Sequence, residues 1–133
     1  MPIFPKAPGA LGGILLVALL DLWLRHTLSS DTCNTGIAFG LSMPQAVIQS
    51  ASFLLLLIFF FLSLREKRPY HSWAFLLIFT GGALNFLDRL LFGCVRDYMA
   101  LSPLFPSFNL ADMMLFLGVG AFLLALKRER WRN

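Results

Sequence analysis

Apolar residues fall into four long runs separated by short polar segments, covering roughly residues 10–28, 46–64, 72–92 and 110–126. Each is close to the ~20 residues a helix needs to cross a bilayer, so the pattern predicts four transmembrane helices. The second run contains "LLLLIFFFL", which has no polar residue and reads as a lipid-facing helix or packing partner. The other three carry isolated polar positions: Asp21 and Arg25 in the first, Asn85, Asp88 and Arg89 in the third, Asp112 at the start of the fourth. The first run follows Lys6 but has no small-x-small cleavage pattern, which makes it a retained span.

Composition agrees with the pattern. The chain has 133 residues, of which 58% are hydrophobic and 14% charged, and a mean hydropathy of +0.75. That leaves room for one domain, residues 1–133, and none for a separate soluble module. The net charge of +4 arises from basic residues beside the apolar runs, where they act as topology signals and do not point to nucleic acid. Lys6, Arg65, Lys67, Arg68, Lys127, Arg128, Arg130 and Arg132 all flank the same side of a four-span path. Both termini are therefore expected in the cytoplasm. The two outer loops, roughly 29–45 and 93–109, carry turn formers such as Asn34, Gly36, Pro103 and Pro106.

The carboxylates are sorted. Glu66 and Glu129 lie in the basic cytoplasmic segments, whereas Asp21, Asp31, Asp88, Asp97 and Asp112 lie toward the other face. An ionisable group in hydrocarbon is costly unless paired or hydrated, so each is a functional candidate. Asn109 and Asp112 also have the spacing of a capping box, and capping alone would explain Asp112. Asn85, Asp88 and Arg89 share a helix face at i, i+3 and i+4, which taken alone suggests an Asp88–Arg89 pair that fixes packing, with Gly81, Gly82 and Ala83 allowing close helix contact. Asp97 follows the third span and is expected to meet Asp112 near the membrane surface. Two adjacent carboxylates share a proton and can activate water for peptide hydrolysis without a metal. Read alone, Asp97 fits a solvated loop aspartate equally well.

Other chemistries find less support. A zinc site lacks ligands at suitable spacing, there is no HExxH or GxSxG, and every lysine belongs to the cytoplasmic side, away from any outer serine. Cys33 and Cys94 both lie toward the outer face, where either a disulfide or packed thiols fits.

In order along the chain, five blocks resemble those of signal peptidase II, the bacterial lipoprotein signal peptidase family. "DLWLR" resembles D-Q-x-T-K, with Arg25 in place of lysine, and "NTGIAFG" resembles N-x-G-A-A-F. "GGALNFLDRL" is similar to G-G-x-x-N-x-x-D-R, "GCVRDY" to G-x-V-V-D-F, and "FNLAD" to F-N-x-A-D. The resemblance implies an all-α integral membrane fold of four transmembrane helices with a small periplasmic β/loop region, trimmed here between Asp21 and Asn34. It implies an aspartyl endopeptidase with Asp97 and Asp112 as catalytic residues and no cofactor. Asn34, Asn85, Arg89, Asn109 and Ala111 fall on positions that shape the site, and Asp21 and Asp88 on positions that support it. The implied substrates are prolipoproteins cut on the amino side of a diacylglyceryl cysteine, with globomycin as the expected inhibitor. The expected setting is a monomer among the lipids of the cytoplasmic membrane, its active site at the outer face. Three departures stand out: the short first loop, Leu84 in place of a glycine, and Arg96 in place of an apolar residue, where it would favour an ionised dyad if aimed at it.

Two other function classes compete. A small proton-coupled exporter would need a carboxylate near the bilayer midplane, for which Asp21 is the serious candidate. A non-catalytic relative that binds lipoproteins would not need both Asp97 and Asp112.

Overall fold

The computed structural model describes residues 8–28, 33–36 and 43–131. Four helices dominate: α1 (Pro8–Thr27), α2 (Gln45–Arg65), α3 (Pro69–Phe92) and α4 (Leu110–Arg130). All four are long and apolar enough to cross a membrane, as the hydrophobic runs predict. Two-residue strands β1 (Cys33–Asn34) and β2 (Val95–Arg96) follow α1 and α3 and pair antiparallel, Cys33 opposite Arg96 and Asn34 opposite Val95. The expected small β region is present. Lys6, Asp31, Arg132 and residues 37–40 of the "NTGIAFG" block lie outside the described residues.

Local chemistry sets the helix boundaries. Pro69 starts α3 three residues before its apolar run, because proline's missing N–H costs nothing in the first turn. Gly93 ends it at φ 74°, returning its N–H to the Arg89 carbonyl at 3.0 Å and turning the chain into β2. α4 runs beyond residue 126 through Lys127, Arg128 and Arg130, cations that complement the negative end of a helix dipole. At that same end Arg68 bridges Glu66 at 2.9 Å and Glu129 at 2.7 Å, joining the α2–α3 turn to α4.

α3 is the central helix, packed on both α2 and α4. Small residues make the α3–α4 approach possible. A methyl group on Gly118 would sit 2.7 Å from Ile78 Cγ1 and 2.9 Å from the Ala74 carbonyl, and one on Gly81 would strike the Ala111 carbonyl. Without a hydrophobic drive between helices in lipid, such backbone proximity supplies the packing. Leu84 fills a small core with Ala18, Ala111 and Met114.

Polarity is inverted relative to a soluble domain. Asp21, Arg25, Asp88, Asp97 and Asn109 are buried, while leucines and phenylalanines such as Phe53, Leu54, Leu91 and Phe116 are exposed. α2 buries only Ile48 among its described residues, so its apolar run is a lipid-facing surface. Cys33 and Cys94 form a disulfide with Cα atoms 5.5 Å apart, tying β1 to the end of α3.

Candidate active site

The site is assembled at the N-terminus of α4. Asn109 is its N-cap: the side-chain Oδ1 accepts from the Asp112 N–H at 2.9 Å, and the Asp112 carboxylate accepts from the Asn109 N–H at 3.1 Å. The capping box expected from spacing is therefore complete. The other end of the same amide does a second job. Asn109 Nδ2 donates to Asp97 Oδ1 at 2.7 Å, so one buried asparagine fixes both carboxylates, each relative to the other.

Asp97 reaches this position because Gly93 reverses the chain and β2 pairs with β1. The pairing also delivers Asn34, whose Nδ2 donates to Asp97 Oδ2 at 3.3 Å. Asp97 is only 2% exposed. Burial pushes its carboxyl up to about 6, the negative charge of Asp112 adds to the shift, and the amides of Asn34 and Asn109 oppose it. Arg89 Nη2 donates to the Gly36 carbonyl at 2.6 Å and lies within electrostatic reach of both Asp97 and Asp112. Arg25 acts electrostatically on the same two carboxylates.

Beneath the dyad lies a second polar layer. Asp112 Oδ1 accepts from Asn85 Nδ2 at 2.6 Å, and Asn85 Oδ1 accepts from Arg25 Nη2 at 2.7 Å. Arg25 also donates from Nε to Asp21 and from Nη1 to Asp88, both at 2.6 Å. Asp21 Oδ1 accepts from the Tyr98 hydroxyl at 2.7 Å and from the Ala111 N–H at 3.3 Å. Tyr98 in turn accepts from the Leu110 N–H at 3.1 Å. Leu110, Ala111 and Asp112 are the first residues of α4, whose N–H groups have no partner within the helix. All three find one here, from Tyr98, Asp21 and Asn109. Burial pushes the Tyr98 phenol upward, reinforced by its hydrogen bond to Asp21.

Every residue expected at the site joins one continuous network: Asp97, Asp112, Asn34, Asn85, Arg89, Asn109, Ala111, Asp21 and Asp88. Two partnerships differ from expectation. Asp88 does not pair with Arg89; it binds Arg25 and Arg96, the latter at 2.7 Å. Helix spacing put Asp88 and Arg89 on one face, but as consecutive residues they diverge by a third of a turn, and each follows a different neighbour. Arg96 likewise points away from the dyad. Its guanidinium covers the Phe92 ring at 4.0 Å and holds Asp88, so it neutralises the lower layer. Tyr98 and the threefold grip of Arg25 were not expected; the one sequence signal was the i, i+4 spacing of Asp21 and Arg25. Asp21 contacts the first turn of α4, the end of a membrane-length helix, whereas an exporter needs its carboxylate near the bilayer midplane.

A groove of about 330 Å³ opens beside Asp112 along the first turns of α4, lined by Phe108, Met113, Phe116 and Leu117. A model of the signal peptidase (SPase) II family matches residues 14–128, a stretch that contains the whole network. The chain belongs to the signal peptidase II family. Membership makes it a multi-pass bacterial membrane peptidase. It is 34% identical to the lipoprotein signal peptidase of Chlorobium phaeobacteroides over 116 residues, covering 77% of this chain and 71% of that one. It is 33% identical to that of Brevibacillus brevis over 104 residues, covering 75% and 70%. A bacterial membrane enzyme solved by the in meso method at 2.3 Å resolution superposes with TM-score 0.83 at 21% identity, covering 100% of this chain and 96% of that one. That likeness establishes the shared fold.

Proposed function

We propose that this member of the signal peptidase II family is an aspartyl endopeptidase that removes signal peptides from diacylglyceryl-modified prolipoproteins, cutting on the amino side of the lipidated cysteine. The observation that carries the reading is the bridge made by Asn109, which holds Asp97 and Asp112 as a pair with hydrogen bonds of 2.7 and 2.9 Å. Paired carboxylates titrate as a unit, and between their two apparent pKa values they share one proton. The elevated titration of Asp97, at about 6, suits it to hold that proton. Asp112, receiving donors from Asn85 and the Asn109 backbone at a helix N-terminus, is the partner we assign as base.

In this scheme a water lies between the two carboxyls. Ionised Asp112 takes its proton as the oxygen attacks the scissile carbonyl carbon, and Asp97 gives its proton to the carbonyl oxygen. A neutral gem-diol results. Asp112 then protonates the leaving cysteine nitrogen while Asp97 recovers a proton from the diol, and the C–N bond breaks. Arg89 offsets the net negative charge of the half-protonated pair.

Depth supports the substrate. The dyad stands at the start of a membrane-length helix, so it lies at the level where a diacylglyceryl cysteine holds its peptide bond. The groove lined by Phe108, Met113, Phe116 and Leu117 offers an apolar surface next to Asp112. The basic residues of the α2–α3 turn and the α4 C-terminus occupy the opposite end. This supports a dyad at the outer face of the cytoplasmic membrane with both termini inside. We take the working unit to be a monomer, with membrane lipids around it and globomycin as inhibitor. The test is cleavage of a diacylglyceryl-modified prolipoprotein by purified protein, with and without globomycin. Asp97→Asn and Asp112→Asn should each abolish cleavage while inserting normally, and near-normal cleavage by either variant refutes the assignment.

A further inference from the structure

We propose that Arg25 is a positioning residue for Asp112, acting through the side-chain amide of Asn85; the inference rests on the reading of Asp112 as half of the dyad. An asparagine amide has a donating and an accepting end, and nothing in its shape decides which end faces which neighbour. Here the neighbours decide. Arg25 Nη2 lies 2.7 Å from Asn85 Oδ1, and Asp112 Oδ1 lies 2.6 Å from Asn85 Nδ2. Rotating the amide by half a turn would set donor against donor at Arg25 and acceptor against acceptor at Asp112. With both neighbours charged, the opposite orientation is strongly disfavoured.

Arg25 can enforce this because it cannot move. It is 1% exposed, with Nε held by Asp21 and Nη1 by Asp88 at 2.6 Å each. Arg96 locks the same assembly from the other side, binding Asp88 and donating to the Arg25 carbonyl at 3.4 Å. The planar fork of a guanidinium serves three acceptors in fixed directions, which the single ammonium of lysine does not reproduce. The resembling family pattern has lysine at this position, so the arginine fork is a feature of this chain. Its geometry converts an ion cluster built from α1 and α3 into a donor aimed at Asp112 on α4.

The prediction separates catalysis from stability. Arg25→Lys keeps the charge and removes the fork, so kcat should fall on the order of tenfold, the size of one charge-assisted hydrogen bond. KM should stay within about twofold, because the contact acts on Asp112 and not on substrate binding. Because a polar buried site tolerates change poorly, a second variant leaves Arg25 untouched. Asn85→Asp keeps an acceptor for Arg25 but removes the amide donor to Asp112 and sets a carboxylate against it, so its kcat should fall at least as far as that of Arg25→Lys and its melting temperature should drop as pH rises. Adding Arg25→Lys to Asn85→Ala should cost nothing beyond Asn85→Ala alone.

The measurements are kcat, KM and melting temperature of the purified full chain on diacylglyceryl-modified prolipoprotein, with Asp112→Asn alongside. Wild-type kcat in Arg25→Lys or Asn85→Asp overturns the proposal. So does an Arg25→Lys variant slower than Asn85→Ala, since Arg25 would then act by another route. Active Asp112→Asn refutes the dyad itself, a distinct outcome.

Discussion

Asp97→Asn is expected to stabilise this protein near neutral pH even as it abolishes cleavage. The folded state holds the Asp97 carboxyl at about 6 against an ordinary 3.8. A raised carboxylate binds its proton more tightly folded than unfolded. Its stabilising effect is therefore complete below about pH 4 and lost as pH rises through about 6. Above that window the folded protein bears the cost of a buried ionised group beside Asp112. A shift of about two units corresponds to roughly 3 kcal/mol. Asparagine removes that cost but carries one acceptor oxygen where the carboxylate has two, and both Asn34 and Asn109 donate to position 97. One of those donors then faces an NH₂ group, offsetting about 1 kcal/mol. A net gain of about 2 kcal/mol remains, a rise in melting temperature of roughly 7 °C for a domain of this size. Thermal unfolding in detergent, followed by intrinsic fluorescence from pH 4 to pH 8, reads it directly. The difference between variant and wild type should grow with pH, from a deficit of about 1 kcal/mol near pH 4 to the full gain near pH 8. A variant that melts below wild type at pH 8, or a difference independent of pH, refutes the account of Asp97.

Three further outcomes follow from the geometry. Asn109→Ala removes the cap and the bridge together, costing about 1–2 kcal/mol of stability by thermal unfolding as well as cleavage. Asn109→Asp keeps a capping oxygen but sets a third carboxylate against Asp97, so it should lose activity and become less stable than wild type as pH rises. Gly81→Val and Gly118→Val force α3 and α4 apart at the closest contacts. Each should cost about 1–3 kcal/mol, whereas Gly120→Val, with open space around it, should melt like wild type. Reducing the Cys33–Cys94 bridge or replacing both residues with serine frees β1 from the end of α3, for a loss of about 2–4 kcal/mol and slower cleavage, because Asn34 leaves Asp97.

The amino-acid sequence alone determined the parts of this protein that depend on local physics. Hydrophobic runs must be helices in a bilayer, since lipid offers no partner for an open backbone, and all four spans were legible for that reason. The cap at Asn109 and Asp112 depends on residues three apart, and the ordered blocks placed the site at the start of α4. Which charges neutralise one another was not legible. Asp88 had Arg89 beside it in the chain and Arg25 sixty-three positions away, and only the packing of α1 against α3 selected the distant partner. Tyr98 was likewise just the end of a block until the fold laid it between Asp21 and the first N–H of α4. The same holds for the cysteines, whose pairing waits on β1 meeting β2. In a membrane interior an unpaired charge is costly to leave, so helices settle where the carboxylates, guanidiniums and free N–H groups of the site answer one another together. That condition couples all the spans together, and no single stretch of sequence contains it.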